Sequence, residues 1–103
     1  MTNRLEQLHK LHKTDPTDPF VTYGIALEYG KGKEPEQAIK WFDLTLELDS
    51  NYCYAYYQKA RLLSDQGLAD QARAVLKQGL DASTRAGDDH ARDELSQLLD
   101  SIA

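Results

Sequence analysis

Apolar residues along this chain recur every three or four positions, the spacing of one helix face, and no stretch sustains the alternation a strand requires. Leu5, Leu8 and Leu11, followed by His12, make a short first stripe ahead of Asp15-Pro16-Thr17-Asp18-Pro19. That pentapeptide predicts a turn with a built-in helix start, Asp18 capping and Pro19 at the first helical position. Ile25, Ala26 and Tyr29 share one face of a second helix, which Gly30 and Gly32 weaken and which Glu34-Pro35 restarts as a third. The third carries the strongest stripe, with Ala38, Trp41, Phe42, Thr45, Leu46 and Leu48. Asp49-Ser50-Asn51 reads as a turn. A further pair runs from Ala55 to Gln66, broken at Gly67, and from Ala69 to about Ala86, broken at Gly87. Asp88-Asp89 then caps a sixth helix with Ala91, Leu95, Leu98, Leu99 and Ile102.

Composition narrows the class. With 103 residues the chain fits one small domain, and its 41% hydrophobic content is enough to offset the entropy of ordering. Seventeen acidic against twelve basic side chains give a net charge of −5, which repels phosphate backbones and disfavours nucleic acid as a partner. A single cysteine excludes an internal disulfide framework. No long apolar run provides a transmembrane helix or signal-peptide core, so the expected location is the cytoplasm.

A row of short helices calls for a test of self-similarity. Shifting the chain by 34 residues aligns 19–52 with 53–86 and pairs Tyr23/Tyr57, Ala26/Ala60, Gln37/Gln71, Ala38/Ala72 and Leu46/Leu80 as identities. Thr45/Gly79 keep a third position small, while Phe20/Tyr54, Tyr29/Leu63, Trp41/Val75 and Phe42/Leu76 keep others large. Small side chains let antiparallel helices approach closely, and large ones fill the space beside them. The same shift carries Asp15 onto Asp49, Leu8 onto Phe42 and Leu5 onto Ile39, which makes the first helix the second half of a unit.

This pattern resembles the tetratricopeptide repeat, a 34-residue helix–turn–helix with small residues at its eighth, twentieth and twenty-seventh positions. Counted from Pro19 these are Ala26, Ala38 and Thr45; counted from Cys53 they are Ala60, Ala72 and Gly79. Position eleven is Tyr29 and Leu63, and position twenty-four is Phe42 and Leu76. With two residues inserted, Ala91, Leu95, Ser96 and Leu99 fall at positions three, seven, eight and eleven of a further unit. Thr22 at position four, Lys59 at position seven and Arg4 at a small-residue position depart from the family pattern.

The resemblance implies an all-α, right-handed α-solenoid of antiparallel helix pairs in a single domain over 1–103. A half-repeat helix (3–13) comes first, then repeats at 19–52 and 53–86, then a capping helix at 88–102. It implies a protein–protein interaction scaffold rather than an enzyme, with no cofactor or metal and a concave groove for a peptide or helix of a partner. Carried over by position, Phe20, Tyr23, Gly24 and Leu27 line that groove from the first unit, and Tyr54, Tyr57, Gln58 and Arg61 from the second. Tyr29, Tyr52 and Tyr56 are assigned to packing. Family members that clamp a C-terminal carboxylate use Lys and Asn at groove positions where this chain has tyrosines, Gly24, Leu27 and Gln58; only Arg61 suits a carboxylate. The alternative reading is a self-associating module, a homodimer through the groove or through Leu98 and Ile102 of the last helix.

The remaining constellations read as surface or turn. His9 and His12 lie one helical turn apart, but a zinc site needs three or four ligands, so a solvated helix face explains them better. Cys53 sits at a helix start, where the dipole favours a thiolate, but no histidine stands in fixed relation to it. Gly30-Lys31-Gly32-Lys33 lacks both the spacing and the preceding strand of a phosphate loop.

Overall fold

A computed structural model of the protein describes residues 3–102; Met1, Thr2 and Ala103, which the expected domain includes, lie outside the described residues. Among the described residues six helices follow one another: α1 (Asn3–Thr14), α2 (Pro19–Lys31), α3 (Pro35–Leu48), α4 (Cys53–Asp65), α5 (Ala69–Ala86) and α6 (Asp89–Ser101). Among the described residues there is no strand. The chain divides into two compact units, 1–49 with α1 to α3 and 50–103 with α4 to α6.

The helix boundaries follow from local chemistry. Asp18 caps α2 by accepting the Phe20 amide at 2.9 Å, and Pro19 occupies the first turn, where its missing N–H costs nothing. Just before it, the Asp15 carboxylate accepts the Thr17 hydroxyl and amide at 2.7 and 3.1 Å, and these bonds hold its pKa below the ordinary value. Asp88 caps α6 by accepting the Ala91 amide at 3.0 Å. Gly87 ends α5 in the left-handed conformation with φ of 66°, which glycine adopts without steric cost. At the end of α2, by contrast, the positive φ falls on Lys33, at 59°, rather than on Gly30 or Gly32.

In the first unit, α2 packs on α3 and α1 on α2. Leu5 and Leu8 of α1 are buried with Val21 and Ile25 of α2, and Tyr29 and Trp41 pack against this cluster half-buried. Gly24 of α2 is buried, and its missing side chain leaves room for Leu8: a Cβ there would lie 3.3 Å from a Leu8 methyl. Gly24 is therefore a packing residue and does not line a groove, contrary to the position-by-position expectation. Ala26 and Ala38 are both fully buried, as the repeat pattern requires.

Thr22 departs from the bulky residue expected at its position, and the structure supplies a reason. Thr22 and Thr45 are both fully buried, and their hydroxyls meet at 2.7 Å between α2 and α3. One hydroxyl donates to the other, and the second donates to a backbone carbonyl, that of Pro19 (3.0 Å) if it is Thr22 or that of Trp41 (2.9 Å) if it is Thr45. Thr22→Val is expected to cost about 1 kcal/mol, the net worth of one hydrogen bond, and adding Thr45→Val should cost little more because no buried hydroxyl is then left behind. Urea denaturation of the four proteins in this double-mutant cycle checks it; strictly additive losses would show that the hydroxyls act independently.

In the second unit, α5 packs on α4, and α6 on both. Ala60 of α4 and Ala72 of α5 are fully buried. Gly79 of α5 sits against Tyr56 of α4 and Leu95 of α6, so one small residue admits two neighbours at once. Tyr56 is buried and its hydroxyl donates to the Ser50 carbonyl at 2.8 Å, a packing role as expected. Cys53 is also buried, and its thiol donates to the Asn51 carbonyl at 3.3 Å. That arrangement uses the protonated sulfur and leaves it no access to a substrate.

Candidate functional site

Two helices carry the residues expected to meet a partner, and each presents them at the same register. On α2 the stripe is Phe20, Tyr23 and Leu27; on α4 it is Tyr54, Tyr57 and Arg61, each 34 residues further on. The steps of three and four residues place each set on one helical face.

Within the first unit, Phe20 is 71% exposed, an unusual cost for a phenyl ring with no local partner to cover it. Tyr23 is half-buried, its ring tilted against Phe42 at 5.7 Å between centroids. Leu27 is half-buried. The α2 stripe thus grades from a free aromatic at the helix start to side chains partly embedded in the unit.

Within the second unit, the Tyr54 and Tyr57 rings stand edge to face with centroids 6.4 Å apart, an arrangement that the aromatic quadrupole favours. Both are half-buried, as is Gln58, while Arg61 is exposed. Arrayed this way, α4 offers ring faces, an amide and one guanidinium from a rigid helix. Such a surface suits a peptide backbone and an acidic or aromatic side chain better than it suits bond-making chemistry.

The histidines of α1 are not where the sequence suggested. His9 and His12 are half-buried, not on a solvated face. Both rings lie edge-to-face against Trp41, with centroids 5.4 and 5.0 Å from it, and His9 Nε2 is 3.2 Å from the Tyr29 hydroxyl. The contacts between α1 and Trp41 link residues about thirty apart, which no local pattern announces. Among the described residues no group of three or more His, Cys, Asp or Glu side chains could hold a metal ion. Nor, among those residues, is any helix long and apolar enough to cross a membrane.

Paired antiparallel helices with small residues at the contacts define an all-α fold of the tetratricopeptide type, and comparison with known proteins agrees. Residues 54–84 match the tetratricopeptide repeat family. The chain is 27% identical to a tetratricopeptide repeat domain protein from Salinibacter ruber, whose solution structure superposes with a TM-score of 0.79 over 85% of this chain and 89% of that one. It is 14% identical to PcrH in complex with the chaperone-binding region of PopD, with a TM-score of 0.87 over 95% of this chain and 74% of that one. The first tetratricopeptide repeat domain of Spaghetti (RPAP3), bound to the HSP90 peptide SRMEEVD, is 18% identical, with a TM-score of 0.80 over 95% of this chain and 73% of that one. No curated protein matches the sequence. The α4–α5 pair is a tetratricopeptide repeat, and the chain as a whole has the fold of such domains.

Proposed function

We propose that this protein is a protein-interaction module that binds a peptide or helix of a partner through the α2 stripe (Phe20, Tyr23, Leu27) and the α4 stripe (Tyr54, Tyr57, Gln58, Arg61). The observation that carries the reading is the Tyr54–Tyr57 edge-to-face pair beside the exposed Arg61 on α4. Tyrosines supply large contact area at small rotamer cost, and the guanidinium supplies a directional donor for a carboxylate. Two neighbours of the same fold are seen with peptide partners, the PopD segment on PcrH and the HSP90 peptide on RPAP3, which supports the same use of the fold here. The role is that of a scaffold rather than a catalyst.

The test is selection from a displayed peptide library on the wild-type protein, followed by titration of enriched peptides. Tyr54→Ala combined with Tyr57→Ala is expected to weaken binding by at least about 30-fold, since each ring removed from an interface costs on the order of 1–2 kcal/mol. Circular dichroism must show the variant still fully helical. Peptides that bind the variant as tightly as the wild type would refute the assignment.

A further inference from the structure

The contacts of α1 do more than close the first unit. Its apolar hold on α2 is short, Leu5 and Leu8 against Val21 and Ile25, and the next turn is held through the two imidazoles on Trp41 and Tyr29. Histidine is the side chain whose charge changes between pH 5 and 8. His12 Nδ1 is buried with no hydrogen-bond partner, so a donor at that atom would face no acceptor. We propose that α1 is an acid-released cover: protonation of His9 and His12 lifts it from Trp41 and Tyr29 and uncovers the apolar strip of Val21 and Ile25 on α2.

The surrounding charges favour release. On α1 itself, Lys13 and His12 both raise the cost of a charge on His9. From α2 the facing titratable group is Tyr29, and the neighbouring Glu28 carboxylate is engaged by Arg4 at 3.4 Å and Lys31 at 3.2 Å. From α3 the facing group is the Trp41 ring; Glu34 lies across a shallow recess beside Tyr29, and Glu36, Lys40, Asp43 and Glu47 border the depression that Trp41 lines. Desolvation, followed by the charges of His12 and Lys13, lowers the pKa of His9 from its ordinary 6.5. The docked helix therefore binds fewer protons than the released one. Docking has its full strength above pH 6.5 and loses it as pH falls through the lowered value.

Amide hydrogen exchange on the whole chain, corrected for the intrinsic pH dependence of exchange, provides the test. Between pH 7.5 and pH 5, protection of the α1 amides is expected to fall several-fold, in the direction set by the lowered pKa of His9, while α5 amides keep theirs. In His9→Gln combined with His12→Gln, α1 protection should become independent of pH over that range. If that variant proves unfolded, the wild type still decides: the histidine ring-proton titrations must share their midpoint with the loss of α1 protection. Protection that stays constant or rises on acidification, as it would if the Trp41 ring stabilised an imidazolium, overturns the proposal. So does a fall that is equal in α1 and α5, or that persists in the folded variant.

Discussion

Phe42→Ala is expected to lower the stability of the protein by about 3–5 kcal/mol, a large part of what a domain of this size possesses. Phe42 is the largest of the fully buried side chains, 1% exposed, and its ring also supports Tyr23. Truncation removes the apolar surface it buries and leaves a cavity that the surrounding side chains fill only in part. The Thr22–Thr45 hydrogen bond pins α2 to α3 nearby and limits their collapse into the space. Urea denaturation followed by helical circular dichroism checks the figure, and a loss below about 1 kcal/mol would contradict the packing described. Because Tyr23 leans on Phe42, the variant should also weaken partner binding at the α2 face before it unfolds.

Gly79→Ala is expected to destabilise by about 1–3 kcal/mol, although in an ordinary helix the same change would stabilise by up to about 1 kcal/mol. Two effects of opposite sign compete. Alanine removes backbone entropy from the unfolded chain and is the best helix former. Its Cβ, however, would stand 2.8 Å from Tyr56 Cβ and 3.0 Å from a Leu95 methyl. The Leu95 contact is with the end of a flexible side chain, but Tyr56 Cβ is fixed to its backbone, and the Tyr56 hydroxyl is anchored on Ser50. Relief therefore requires α4 and α5 to move apart, and steric cost outweighs propensity. Gly30, where an added Cβ would meet nothing within 4 Å, is the control: Gly30→Ala should be neutral or stabilising. Thermal melts of the two variants, compared with the wild type, check the difference in sign. A stabilised Gly79→Ala would show that α4, α5 and α6 do not meet as closely as described.

The helices and their pairing were legible along the chain because their causes are local or periodic. Asp18-Pro19, Asp88 and Gly87 act within a few residues, and a cap or a left-handed turn leaves its signature where it acts. The 34-residue shift located Ala26, Ala38, Ala60 and Ala72, all fully buried, because close helix approach tolerates few side chains. The candidate stripes on α2 and α4 were legible in the same way, as positions in a repeat. Their degree of exposure was not, since half-burial of Tyr23 depends on where Phe42 stands.

Other features were decided only when helices met. Gly24 holds a groove position by count, yet it is spent on admitting Leu8. Thr22 looked like a departure from the repeat until Thr45, twenty-three residues away, supplied its partner. His9 and His12 read as solvated because helical periodicity places them at the margin of the Leu5–Leu8 face; Trp41 and Tyr29 draw them in. The sequence by itself determined the six helices, their caps and the small-residue contacts, since these depend on neighbours in the chain and a fixed period. Only the tertiary structure decided which polar side chains are buried and against what, because that depends on distances between residues the chain keeps far apart.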